Sequence, residues 1–235
     1  MPVYTDDIDS WQPQSHPGAD VAKKARVTRE REVRLYQNDF LEALTRVHPA
    51  VPIGIWGPVS LGLIYLGYHL GLRPATVLTL ALVGVFVWTF AEYCLHRWIF
   101  HWVPKSERLR EFFYPMHQLH HEVQEWDRLL APPMMAVPLW LAFMMLFYWV
   151  LGTPTVFPFF GGFTIGYLGY DYIHFYTHFV RPRSDVGKGL RRRHLQHHFA
   201  AEDRWYGVSS PLWDYVFRTH IPKRQRPFGM WVRKT

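Results

Sequence analysis

Ten of the 14 histidines in this chain gather in four short groups, and imidazoles repeated at short spacings are the raw material of a metal site. His96 and His101 stand five apart in HRWIFH. His117, His120 and His121 form H-x2-HH in HQLHH, His174 and His178 form H-x3-H in HFYTH, and His194, His197 and His198 repeat H-x2-HH in HLQHH. Positions i, i+3 and i+4 share a helix face, so each H-x2-HH is expected to aim three rings at one point. His96 and His101 diverge by about 140° on an ideal helix and share a centre only if the helix bends or unwinds between them. One ion does not take ten protein ligands; two ions with about four or five each account for all of them. The groups contain neither thiolate nor carboxylate, unlike Cys-rich zinc sites and unlike the two-His-one-carboxylate iron centre, and imidazole alone suits Zn, Fe, Cu or Ni.

The last group follows Arg191-Arg192-Arg193 directly, which by itself also reads as a nucleic-acid patch. Composition arbitrates. The 235 residues are 17% aromatic and only 19% charged, with a net charge of +7 and a single cysteine, Cys94, which excludes a disulfide framework. The mean hydropathy of -0.11 averages two unlike populations. From Leu129 to Tyr170 no Asp, Glu, Lys, Arg or His occurs. A bilayer core about 30 Å thick needs roughly 20 helical residues, so this run suits two crossings, with the turn near Gly152-Thr153-Pro154. Val51 to Leu72 and Ala75 to Ala91 supply two more, joined at Arg73-Pro74.

The expected fold is an all-α integral membrane protein: four transmembrane helices in two hairpins, with a cytoplasmic helical cap that carries a histidine-rich dimetal site. Residues 1–50 form a polar segment, 51–95 the first hairpin, 96–128 a histidine-box segment, 129–178 the second hairpin and 179–235 the rest of the cap. Seven Lys/Arg lie in 1–50, five in 97–130 and thirteen in 179–235, all on one side of such a bundle, which makes that side and both termini cytoplasmic. The arginine run is then a membrane-surface feature, and nucleic acid is not an expected partner. Within residues 20–47, Val33, Tyr36, Phe40, Leu44 and Val47 recur at helical spacing, as in an amphipathic helix lying on the lipid or packed against the cap.

Two acids lie one turn from histidines, Glu92 before His96 and Asp171 before His174, where they can hold and orient rings. Acids so near a membrane segment are functional candidates.

The words EYCLHRWIFH, MHQLHHEVQEWDRLLAPP, GYDYIHFYTH and HLQHH, followed by YGVSSPLWDYVF, closely resemble the fatty acid 2-hydroxylases of the sterol desaturase and fatty acid hydroxylase superfamily, over roughly residues 50–220. The resemblance implies a dinuclear centre, iron when active and often zinc when purified, held by His96, His101, His117, His120, His121, His174, His178, His194, His197 and His198. It implies O2 as co-substrate and hydroxylation at C2 of a long-chain fatty acyl group, free or in a ceramide-type lipid. Tyr170 and Asp171 match a pair placed beside substrate or ligand, and Asp214 falls in the word after the last box as a polar contact or a structural cap. Eukaryotic members often carry a cytochrome b5 domain with an HPGG motif, which Ser15-His16-Pro17-Gly18-Ala19 echoes. Fifty polar residues are too few for that domain, so a separate donor, cytochrome b5-like or ferredoxin-type, is expected.

Desaturation or carotenoid hydroxylation would use the same metals. A membrane metal transporter is the rival from another class, although transporters place their ligands near the bilayer midplane. Met134, Met135, Met144 and Met145 could line a lipid path or simply pack. The site and its membrane setting leave a bacterial inner membrane and an endoplasmic reticulum equally open.

Overall fold

Each long apolar run folds as a helix, and each break falls at a proline or a glycine. The computed structural model describes residues 26–28, 32–114 and 117–222; His16 and residues 20–25 lie outside these. In chain order the elements are strands β1 (Arg26–Thr28) and β2 (Glu32–Arg34) and helices α1 (Asp39–Ala43), α2 (Ala50–His69) and α3 (Pro74–Leu95). A π-helical turn, His96–Phe100, extends α3. Then come α4 (Glu107–Phe113), α5 (Gln118–Glu122), α6 (Pro133–Leu151), α7 (Val156–Phe179), α8 (Asp185–Phe199) and α9 (Leu212–Val216). Proline opens α3 and α6 in the first turn, where its missing N–H costs nothing. Gly152, at φ 64°, closes α6 with a left-handed residue.

Among the described residues, three helices are long and apolar enough to cross a membrane: Ala50–His69, Pro74–Phe100 and Pro133–Leu151. The sequence led us to expect a fourth, and α7 is the difference. It is 24 residues long, about 36 Å, but glycine, threonine, tyrosine and its ionisable C-terminal third dilute its apolar character. It packs between α2 and α3 and is mostly buried. The outer helices expose what α7 hides: Met145 is 72% and Trp149 87% exposed on α6, which suits hydrocarbon and not water.

Glycines let α7 approach α3 at backbone distance. A Cβ on Gly84 would stand 1.9 Å from the Phe159 carbonyl oxygen, and one on Gly162 would stand 1.9 Å from that of Ala81. Between apolar helices in lipid, such close packing replaces the hydrophobic drive that water supplies elsewhere. Trp56, Trp88, Phe160, Phe163 and Tyr167 fill the rest of this core.

Of the amphipathic helix expected within residues 20–47, the described residues 26–28 and 32–47 form no continuous helix. β1 and β2 pair antiparallel there, with Val27 opposite Val33, and among the described residues of this stretch only the five of α1 are helical. Local bonds compete successfully: Asn38 Oδ1 accepts from Phe40 N (2.9 Å) and Leu41 N (3.1 Å), which starts α1 late. The buried Glu42 carboxylate accepts from Leu35 N (3.0 Å) and Tyr36 N (3.1 Å) and pairs with Arg128, while Arg46 bonds Asp127 at 2.8 Å. The segment is thus tied to the loop that precedes α6.

Gly162→Ala should lower the thermal unfolding midpoint in detergent, at a cost of about 1–3 kcal/mol for overpacking a backbone contact. Gly54→Ala, which meets nothing within 4 Å, should leave the midpoint unchanged or raise it. Equal midpoints for the two variants would contradict this packing.

Candidate metal centre

The ten boxed histidines come together as two groups of five. His96, His101, His117, His121 and His197 form one; His120, His174, His178, His194 and His198 form the other. Within each group one ring nitrogen per residue lies within 4.8 Å of every other. All ten are buried except His101, which is half-buried.

Helical periodicity explains the partition and corrects the expectation that each H-x2-HH aims three rings at one point. The i,i+4 partners stay together: His117 with His121, His174 with His178, His194 with His198. The middle histidines, His120 and His197, directly precede an i+4 partner, about 100° away around the helix, and each joins the other group. Each group therefore consists of two same-face pairs and one ring exchanged from a neighbouring box.

The His96–His101 pair is made possible by the π-turn. His101 N donates to the His96 carbonyl at 3.3 Å, the i to i+5 bond that returns His101 to the face of His96, and the ring centroids stand 5.0 Å apart. The unwinding that the spacing required thus has a defined form.

The donor set fits a bound ion. Nε2 atoms face one another at 2.8 Å (His96–His117), 2.9 Å (His121–His117) and 3.0 Å (His101–His197) in the first group. In the second they stand 2.7 Å (His178–His194) and 3.1 Å (His198–His194) apart. Nitrogens that each sit about 2.1 Å from one ion keep such separations. The Nδ1–H of His96 donates to the Tyr206 carbonyl (2.5 Å) and that of His197 to the Arg204 carbonyl (2.6 Å), which leaves both Nε2 atoms as lone pairs aimed inward. His120 Nε2 and His174 Nε2 are buried with no hydrogen-bond partner among the described residues, and such atoms are costly unless a ligand satisfies them. Burial first, and neighbouring imidazoles second, hold His117, His120, His121, His194, His197 and His198 well below the usual histidine range, so they are neutral donors at pH 7.

The acids act at one remove from the rings. Glu92 bonds no histidine; its Oε1 accepts from Val208 N (2.6 Å) and Ser209 N (2.8 Å), and its Oε2 takes the Ser209 hydroxyl. Asp214, fully buried, accepts from Tyr206 N (2.9 Å), Gly207 N (2.9 Å) and Thr219 Oγ1 (2.8 Å). The two carboxylates hold the two ends of the Tyr206–Ser209 loop, and that loop presents the carbonyl that orients His96. Asp171 accepts from Ala131 N (3.3 Å) and the Tyr167 hydroxyl (3.4 Å), and the Tyr170 ring stacks on His174 at 5.8 Å.

The arginine run belongs to the same construction. One Arg191 nitrogen, Nη1, donates to the carbonyls of Thr177 (3.0 Å), His178 (3.2 Å) and Val180 (3.0 Å), closing the end of α7 against α8. The Arg193 guanidinium lies 5.9 Å from the centre of the Trp205 ring. Sequence reasoning placed these side chains at the lipid surface; their roles depend on carbonyls and rings distant in sequence, which no local pattern signals.

A cavity lined mostly by apolar side chains opens beside the histidines. His117, His120 and His174 form part of its wall, with Glu92, Tyr170 and Asp171 at the same end; α6 contributes Leu139, Trp140 and Phe143. Of the four methionines singled out, Met135 lines this cavity and Met144 packs on the core, whereas Met134 and Met145 face outward.

The family model for fatty acid hydroxylases matches residues 81–219, which hold all ten histidines. The chain belongs to the fatty acid hydroxylase family. It is similar to a dihydroceramide fatty acyl 2-hydroxylase of Arabidopsis thaliana, with 38% identity over 83% of this chain and 82% of that protein. It is 33% identical to a fatty acid 2-hydroxylase of Mus musculus over 84% of this chain and 59% of that protein, so the mammalian relative is the longer one. A solved structure, titled full-length scs7p with only the hydroxylase domain visible, superposes with a TM-score of 0.74 at 33% identity, covering 78% of this chain and 70% of that one.

Glu92→Ala removes the acceptor for two backbone N–H groups of the loop whose Tyr206 carbonyl holds His96, and should weaken metal retention by up to about 10-fold, the lower end of what losing a ligand's direct partner costs. Glu92→Gln keeps an acceptor oxygen and should retain most of it. Metal per chain after dialysis against a graded chelator reads the difference; equal retention in wild type and Glu92→Ala would refute this role.

Proposed function

We propose that this chain is a membrane oxygenase that hydroxylates long-chain fatty acyl groups at C2, free or in a ceramide-type lipid. The observation that carries the reading is the opening of an apolar cavity onto two groups of five histidines. The names of the relatives, 2-hydroxylases of fatty acids and of dihydroceramide acyl chains, support the position and the substrate class.

Two iron ions, one per group of five, would supply the O2 chemistry that inserts one oxygen atom into a C–H bond while the other leaves as water, with two electrons and two protons consumed. The chain's own residues bind, orient and keep the site dry. Leu139, Phe143 and Phe163 offer hydrocarbon walls to an acyl tail. Glu92, Tyr170 and Asp171 supply the polar end of the cavity, so an acyl carbonyl or amide sits among them and C2 lies next to the histidine wall. Tyr206 and Arg204 hold His96 and His197 in the tautomer that presents Nε2, so those two rings need not reorganise during turnover.

The same reading takes α7 as the fourth span. The excess of Lys/Arg in 1–50, 97–130 and 179–235 puts both termini and the histidine cap on the cytoplasmic face, within reach of a separate cytochrome b5-like or ferredoxin-type donor. The segments 1–50, 51–95, 96–128, 129–178 and 179–235 then correspond to lead segment, hairpin, cap, hairpin and cap.

Lipid extracts from cells expressing the chain should contain 2-hydroxy acyl species, and His197→Ala, which removes the exchanged ligand of the first group, should abolish them. Mass spectrometry that instead finds new double bonds without hydroxylation would assign a desaturase. Unchanged lipids in cells holding folded, metal-loaded protein would count against an acyl oxygenase altogether.

A further inference from the structure

The lining of the cavity ends at the same level on three helices. On α7 it runs from His174 back to Phe163, on α6 from Met135 to Phe143, and on α3 from Leu95 back to Trp88. At that level the Phe163 ring touches both of the others, 5.1 Å from Phe143 and 5.1 Å from Trp88. One turn further there is no room. Phe147 packs on Phe163 (5.1 Å) and Phe159 (4.8 Å), and α3 and α7 close backbone to backbone at Gly84. The cavity is therefore closed at its far end by three aromatic rings. Phe163 and Trp88 are buried in the closely packed seam between α3 and α7, which limits how far their rings can swing.

We propose that Trp88, Phe143 and Phe163 form a floor that sets the acyl chain length accepted by this enzyme. The inference rests on the acyl hydroxylase reading and deepens it. The depth from His174 to Phe163 is 11 residues of helix, about 16 Å. An extended chain advances about 1.2 Å per bond, from the roughly 3.3–3.6 Å that three backbone bonds span. About a dozen methylenes beyond C2 then reach the floor, and each further one must bend the tail or lift C2 away from the histidines. A single methylene misfit in a closed apolar pocket changes discrimination by about tenfold or more.

The test uses the full-length chain in cells supplied with saturated fatty acids of graded length, and reads the length profile of the 2-hydroxy acyl pool by mass spectrometry. Phe143→Leu deepens the floor and should raise the ratio of longer to shorter hydroxylated chains about tenfold. Leu139→Trp fills the cavity one turn nearer the histidines and should shift the profile the other way. Because the readout is a profile within the hydroxylated pool, a partial loss of folded protein leaves it legible. An active wild type whose profile neither variant moves, or that both move in the same direction, overturns the floor. A wild type that makes no 2-hydroxy acyl lipid overturns the functional reading beneath it.

Discussion

Neighbouring side chains on a helix point about 100° apart, whereas residues four apart nearly coincide. A metal group of five cannot be drawn from one helical box under that constraint, and the fold of this protein is a solution to it. Same-face pairs come from α7, α8 and the π-turn, His117 at the N-cap of α5 meets His121 within it, and His120 and His197 cross to the opposite group. The exchange makes the two groups interdependent: His121 of one stacks on His198 of the other with ring centroids 3.8 Å apart. α5 has only five residues and could not hold its histidines alone; it is useful here because both groups lock it in place.

Positioning descends from there in layers. α7 carries His174 and His178, and its glycines seat it against α3, which delivers His96 and His101. Arg191 fixes the end of α7 to α8. Glu92 and Asp214 hold the loop whose Tyr206 carbonyl aims His96. Buried carboxylates are tolerable in these places because each accepts several hydrogen bonds, so their burial contributes rigidity instead of an unpaired charge. The polar cradle sits at one end of the bundle, and the largely apolar cavity runs up to it.

Much of this was legible in the sequence because the signals were local. Ligand-type residues, their spacings, the charge-free runs and the prolines and glycine at helix ends all act within a few residues of where they are written. The spacing of His96 and His101 even required an irregular helix end, and a π-turn stands there. The missed features are those settled by distant partners. H-x2-HH shows which faces the rings take but not which group each ring joins, since that depends on the neighbouring helix. The apolar spacing from Val33 to Val47 is real, yet Asn38, Glu42 and Arg128 outcompete a long helix. Arg191-Arg192-Arg193 has the composition of a surface patch, while Arg191 works as a cap on carbonyls that lie 11–14 residues away in the chain. α7 was expected from the charge-free run, but the glycines and polar groups that bury it between α2 and α3 could not be told from a lipid-facing composition without those neighbours.

The central claim is that ten imidazoles hold two metal ions. X-ray absorption at the metal edge, with metal analysis of the full-length protein in detergent, tests it most directly. The account predicts two ions per chain with nitrogen neighbours at about 2.0–2.2 Å and no sulfur shell. A single ion per chain, or a first shell dominated by sulfur near about 2.3 Å, would contradict it.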